Sequence, residues 1–267
     1  MELIELFGYF GALIVGLILG LIGGGGSILT VPILVYILNF SPIVATAYSL
    51  FVVGSTATIG TIKNLKTKAI DFKTAVIFAI PSIVSIYFTR SVIIPNLPKI
   101  IFSSEVFKLS NALFIMLLFA FIMVVSGLSM VSSKHKIDKP KTTSYHTTLY
   151  ILIIFLAIAI GILAGLVGAG GGFLIVPALV LLLKMPIKKA VSTSLFIIAI
   201  QSFTGFLGDI NHIDIDWYFL LKFTSLSILG IFIGLTLAKR ISPQKMKKGF
   251  GYFTIIMGVY IIYRELF

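Results

Sequence analysis

The chain has 267 residues, of which 58% are hydrophobic and 11% charged, with a mean hydropathy of +1.13. Soluble globular chains carry roughly 25% charged residues, so a water-facing domain is excluded, and with it nearly every soluble enzyme class. The 21 Lys plus Arg outnumber 9 Asp plus Glu, but they fall in short connections between apolar runs, where membrane topology puts them. No basic face accompanies a motif that reads nucleic acid, and the absence of cysteine removes disulfides, thiolate metal sites and cysteine nucleophiles.

In chain order, Met1-Glu2-Leu3-Ile4-Glu5 has acids where a signal peptide carries bases, so this end reads as mature sequence. Five apolar segments follow at about 8–22, 28–39, 43–62, 74–93 and 107–130, and no charge intervenes between Glu5 and Lys63. Between the first two stands Gly23-Gly24-Gly25-Gly26-Ser27. Each glycine costs a helix interior about 1 kcal/mol relative to Ala, so the run predicts a broken helix. The apolar stretch after it, Ile28 to Asn39, reaches roughly 17 Å, about half the hydrocarbon thickness. A hairpin is predicted, one helix entering and a short helix leaving, whether it re-enters or crosses.

Ser132 to Thr148, rich in Lys, Ser and Thr with Pro140, is a polar linker. Five further apolar segments lie at about 148–167, 173–183, 188–206, 217–238 and 249–263. The first two of these again flank a glycine run, Gly168-Ala169-Gly170-Gly171-Gly172. Pro32 and Pro177 are placed in the first turns of the short helices, where a missing N–H costs least.

The two sets of five are one plan written twice. GLILGLIGGGGSILTVP from Gly16 and GILAGLVGAGGGFLIVP from Gly161 are offset by 145 residues, 161 less 16. The register holds at Gly20/Gly165, Gly23/Gly168, Gly26/Gly171, Pro32/Pro177, Ser49/Ser194, Gly60/Gly205 and Asp71/Asp216, with a one-residue slip between Pro42 and Pro186. Apolar runs matched by chance share Leu and Ile, not Gly, Pro, Ser and Asp in register. An odd number of elements per half forces the halves into opposite orientations. The predicted fold is therefore an all-α integral membrane protein of two inverted five-segment repeats. Each has a Gly-broken hairpin of short half-helices and three further membrane helices. The repeats are 1–131 and 149–267, joined by the linker 132–148.

Charges orient this plan. Lys63, Lys66, Lys68 and Lys73, the linker lysines, Lys184 to Lys189, and Lys239 to Lys248 fall on one side, read as cytoplasmic. Both termini then lie outside, and the cell membrane, inner or plasma, is the predicted location. The loop equivalent to 63–73 is 207–217, with Asp209, Asp214 and Asp216 and no base, as an outer loop requires. Arg90, Lys99 and Lys108 near the outer connection 94–106 fit less well. Asp71 and Asp216 are predicted N-caps, and Asp209 reads as a solvated outer-loop carboxylate, with proton coupling as the other reading.

Non-helical backbone at membrane depth must be buried in protein or line a watery cavity. The short helices start just after the glycines, so their free N–H groups and positive dipole ends point at the break. Facing each other, two such ends make a small-anion site without any fixed positive charge. The candidate substrate-binding residues are Gly24, Gly25, Gly26 and Ser27 with Gly170, Gly171 and Gly172. From the third segment of each half come Ser49, Thr193, Ser194 and Gln201. Close packing is the other reading of such glycines, and it explains the spaced pairs Gly16/Gly20 and Gly161/Gly165. Hydroxyls in membrane helices also bond their own i−4 carbonyl, which stays open for each Ser and Thr.

Other chemistry fails. A phosphate loop needs Lys after its last glycine, and a dinucleotide fingerprint needs glycine where Ile28 and Phe173 stand. His135, His146 and His212 fall in connections, so no Ser–His pair forms in the bilayer, and no HExxH motif exists. No catalytic residue, metal or cofactor is implied.

At the doubled Gly…Gly-x-x-Gly-x-Gly-Gly…Pro pattern, each followed by Ala-x-x-x-Ser (Ala45 to Ser49, Ala190 to Ser194), the chain resembles the sulfite exporter TauE/SafE family. The resemblance covers about 8–70 and 153–217 strongly. It implies a permease for small sulfur-containing anions such as sulfite or sulfoacetate. Ser27 against Gly172, Gly24 against Ala169 and Thr56 against Gln201 imply an asymmetric site. The expected function is secondary transport of small anions by alternating access at a midplane site. The second reading is an anion-binding protein or channel-like facilitator without coupled transport. Its partners are the anion and the lipid bilayer, and the chain could pair as a homodimer.

Overall fold

The structure, a computed structural model, describes residues 2–24, 26–65, 69–103, 108–132, 147–181, 183–238 and 240–267. In chain order the helices are α1 (Glu2–Ile22), α2 (Ser27–Pro32), α3 (Pro42–Leu65), α4 (Phe72–Phe88), α5 (Asn111–Ser132), α6 (Thr147–Val167), α7 (Gly172–Leu181), α8 (Ile187–Asp209), α9 (Trp217–Leu237) and α10 (Pro243–Leu266). Wide π-helical turns extend α2 over Ile33–Ile37 and α4 over Thr89–Ile93. Among the described residues, 7 helices are long and apolar enough to cross a membrane. The molecule is an all-α integral membrane protein. Its outward side chains are apolar, Phe121 and Phe155 being 63% and 68% exposed, as lipid rather than water demands.

Each predicted segment is a helix. The widest misses are at α1 and α10, where Glu2 and Lys245 continue the helix past the apolar run; hydropathy marks lipid depth and not the helix end. The connection 94–106, predicted as outer, departs from the all-helical expectation. Strands β1 (Ile100–Ser103) and β2 (Lys108–Ser110) pair antiparallel there, using a β-branched and aromatic run. Most of the predicted linker, 133–146, lies outside the described residues.

Caps and breaks follow from local chemistry. Asp71 accepts from the Thr74 N–H at 3.2 Å and Asp216 from the Phe219 N–H at 3.0 Å, so both are N-caps, as predicted. The short helices close alike. Asn39 takes φ 58° and the Phe40 N–H bonds the Leu34 carbonyl at 2.9 Å; Lys184 takes φ 51° and the Met185 N–H bonds the Leu179 carbonyl at 3.1 Å. The prolines correct an expectation. Pro32 and Pro177 are the sixth residues of α2 and α7, inside the helix rather than in its first turn. Pro32 is followed directly by the π turn, Ile33–Ile37.

Helix pairing is carried by small residues. Gly16 and Gly20 of α1 lie against Ser227, Ile231 and Leu235 of α9, and residue numbers rise together, so this pair is parallel. Gly161 and Gly165 of α6 lie against Ser82, Ser85 and Thr89 of α4, also parallel. These are the spaced glycines assigned to packing from the sequence, and the structure bears that out. The other two pairs run antiparallel. Gly54 and Gly60 of α3 meet Ser202 and Leu195 of α8, and Gly251 and Gly258 of α10 meet Met130 and Ala120 of α5. Helices α3 and α8 are the most enclosed of the spans, 67% buried each, and among the described residues they carry half of the buried polar side chains.

Candidate functional site

Both glycine runs break their helices, as predicted. Helix α1 stops at Ile22 and α6 at Val167, and Gly23 and Gly168 then take φ of 77° and 69°, a left-handed turn that side chains rarely adopt. The chain restarts as α2 and α7. The two runs touch. A Cβ built on Gly172 would lie 2.6 Å from the Gly24 Cα, so backbone meets backbone with no space for a side chain. Of the candidate glycines, Gly24, Gly170, Gly171 and Gly172 cluster here. Gly26 packs back on Val15 and Leu19 of its own hairpin, and Gly25 lies outside the described residues.

Helices α3 and α8 wall the cluster. Gly23 sits on Val191 and Gly168 on Thr46, while Gly170 lies beside Val53 and Ser202. The Gln201 Nε2 is 3.2 Å from where a Gly171 Cβ would stand. The candidate hydroxyls divide into two groups. Ser27 donates to the Gly24 carbonyl at 2.7 Å, and Ser194 has the Gly23 and Val191 carbonyls both at 2.9 Å. Thr193 accepts the Asp71 N–H at 3.0 Å, which places it at the start of α4 rather than among the glycines. These three tie the frame together. Ser49 and Gln201 are 0% exposed, and neither the Ser49 hydroxyl nor either amide atom of Gln201 has a partner among the described residues. Ser202 joins them with an unpartnered buried hydroxyl, a residue the candidate set left out. Thr56, the counterpart of Gln201, bonds the Val52 carbonyl at 2.6 Å, the i−4 alternative.

Two charges were misplaced by sequence reasoning. Asp209 is not a solvated loop carboxylate: it is 2% exposed and pairs with Arg90, itself 0% exposed, at 3.1 Å from Nη1 to Oδ2. Arg90 also donates to Thr46 Oγ1 at 3.2 Å, and its Nη2 faces Gly168. A fixed positive charge therefore stands beside the second glycine run, against the expectation of a site without one. Charge at the end of an apolar segment reads as interfacial because hydropathy has no angular information. The available signal was opposite charge at the C-terminal ends of the fourth and eighth segments, Arg90 and Asp209.

The connections on the predicted cytoplasmic and outer sides are pinned in matching ways. The Asp71 N–H goes to Thr193, and the Asp216 N–H goes to the Tyr48 hydroxyl at 2.7 Å. Burial alone raises the Asp71 carboxyl. The Lys189 ammonium at 3.0 Å and the Thr74 N–H outweigh it and hold the group below the ordinary carboxylate value. A depressed carboxyl contributes stability above the unfolded value of about 3.9 and loses it as pH falls through its lower folded value. Asp71→Asn is expected to flatten the acid limb of unfolding temperature against pH below about 4, read by thermal unfolding in detergent.

Known proteins align with this architecture along nearly its whole length. Residues 9–261 match the family described as Sulfite exporter TauE/SafE. A "probable membrane transporter protein" of Xylella fastidiosa (strain 9a5c) is 30% identical over 257 residues, 94% of this chain and 92% of that protein. The "probable membrane transporter protein YunE" of Bacillus subtilis (strain 168) is 29% identical over 96% of each chain. A "probable membrane transporter protein" of Methanocaldococcus jannaschii is 26% identical over 94% of each. No solved structure matches the chain. A match of this extent, on a bundle whose two glycine breaks meet between α3 and α8, places the chain in the sulfite exporter TauE/SafE family of membrane transporters.

Proposed function

We propose that the chain is a secondary transporter of small anions, sulfite or organosulfur compounds, working by alternating access between two inverted repeats, 1–131 and 149–267. The repeats rock about the meeting point of the glycine runs, in a cell membrane with both termini outside and the linker 132–148 cytoplasmic. Support for the inversion is that equivalent helices pack antiparallel, α3 on α8 and α5 on α10, while α1 on α9 repeats as α6 on α4. Matching caps at Asn39 and Lys184 support the duplication behind it.

One observation carries the reading. The two glycine runs meet at Gly24 and Gly172, and beside them Gln201 and Ser202 hold buried polar atoms without partners among the described residues, as does Ser49 on α3 between Thr46 and Val53, which touch the second run. Buried polar groups are ordinarily satisfied, so an unsatisfied set gathered at one place marks where a polar guest belongs. Hydroxyl, amide and the N-terminal N–H groups of α7 donate hydrogen bonds to an anion. The asymmetry of the site, Gln201 against Thr56, follows from the bond Thr56 makes to its own helix.

Proteoliposomes carrying the purified chain test this, with sulfite, sulfonates and carboxylates as cargo. Gln201→Leu is expected to slow movement of the preferred anion by roughly 10-fold or more, the cost of a hydrogen bond to a charged group. An anion that binds yet moves under no gradient would favour a binding protein over a transporter.

A further inference from the structure

Arg90 is a whole guanidinium enclosed in a membrane-spanning bundle, and its two sides are treated differently. Nη1 donates to Thr46 Oγ1 at 3.2 Å and approaches Asp209 Oδ2 at 3.1 Å. Nε and Nη2, both buried, have no hydrogen-bond partner among the described residues. Those two nitrogens form one edge of the plane, and their parallel N–H bonds are the fork that grips two oxygens of a single oxyanion. Nη2 is turned toward Gly168 of the second glycine run, where even a methyl group would collide with it. An ionisable residue inside a membrane is costly to keep and tends to mark a substrate path. Leaving its best donor edge unfilled adds to that cost.

We propose that the Nε–Nη2 edge of Arg90 is a second anion-binding position, for oxyanions carrying two oxygens on one centre, such as sulfite, sulfonate or carboxylate. Asp209 and Thr46 are positioning residues that hold Nη1 and so aim the free edge at the glycine run. The inference rests on the anion-transport reading and supplies it with a charged recognition step. Asp209 lies seven residues beyond Ser202 on α8, about 10 Å along the axis and near the same face. The anion thus has two stations along α8, Arg90 reaching Asp209 from the π turn after α4 toward the predicted outer side, and the Gln201–Ser202 pair deeper in. The Asp209 charge also limits how tightly the first station holds. A station on a path must bind well enough to admit its cargo and weakly enough to release it.

The test measures binding of sulfite, methanesulfonate and acetate, against chloride at constant ionic strength, to the purified full chain in detergent. Arg90→Lys keeps the charge and the ion pair but has no fork. It is expected to weaken oxyanion binding at least roughly 10-fold and to leave chloride unchanged, so that selectivity collapses. Asp209→Asn keeps an acceptor for Nη1 and removes the competing charge. Oxyanions are expected to raise its unfolding temperature more than that of the wild type, which a purely structural role does not produce. Wild-type affinity and selectivity in Arg90→Lys would overturn the inference. If that variant does not fold, an oxyanion-induced shift in Asp209→Asn no larger than wild type overturns it. Should sulfite still be moved by the wild type in either case, the transport reading stands without the Arg90 station. A wild type that binds and moves no oxyanion overturns both.

Discussion

Gly172→Leu is expected to abolish anion movement, at least roughly 100-fold, while the protein still inserts and folds. The new side chain would point into the Gly24 backbone, with the Ile198 Cδ1 2.6 Å from the added Cβ on the other side. The Gly24 neighbour does not yield cheaply, since it is main chain of the opposing run, whereas the Ile198 methyl is the end of a flexible side chain. Overpacking of this kind costs about 1–3 kcal/mol, which a bundle of this size tolerates. The damage is concentrated where the two runs meet and where any rocking of the halves must pivot. Gly249→Leu in α10 is the matched control, because nothing lies within 4 Å of its added Cβ. Efflux from proteoliposomes and unfolding temperature are the measurements. Wild-type efflux from Gly172→Leu would remove the glycine contact from the mechanism.

Asp209→Ala is expected to be among the most destabilising single substitutions in the chain, by about 3–5 kcal/mol, because it strands a buried guanidinium. Arg90 is 0% exposed, and without Asp209 its remaining hydrogen-bond partner among the described residues is Thr46. Replacing both charges, Arg90→Met with Asp209→Leu, is expected to recover most of that loss, since an apolar pair avoids the desolvation of two ions. The double variant separates stability from function. A stable bundle that no longer moves oxyanions assigns the pair to transport, whereas a double variant as unstable as the single would show that the pair is structural. Denaturant unfolding in detergent, with efflux in parallel, reads both.

Much of the architecture was legible because membrane insertion imposes rules that act residue by residue. Ten apolar segments were found where ten helices stand. The glycine runs broke their helices because contiguous glycine is a poor helix former wherever it falls. Asp71 and Asp216 capped because a carboxylate one residue before a helix meets its free N–H groups. Site residues were only partly legible. Ser49 and Gln201 are buried and unpartnered among the described residues, yet Ser27, Thr193 and Ser194 are equally small hydroxyl side chains near the same runs or on α8, and they bond to the frame. Linear order cannot distinguish them, because the difference lies in which carbonyl or N–H comes within 3 Å.

The sequence by itself determined that this chain crosses a membrane, that it is doubled, where its helices break and to which family it belongs. All of these depend on composition and on spacing along one strand of chain. Tertiary structure decided the rest. It set Gly24 against Gly172, released Ser202 into the site, and joined Arg90, expected near a connection, and Asp209, expected in a solvated loop, as a buried pair across two helices. Pairing energies depend on distance in space and on local dielectric, and both are fixed only when the helices pack.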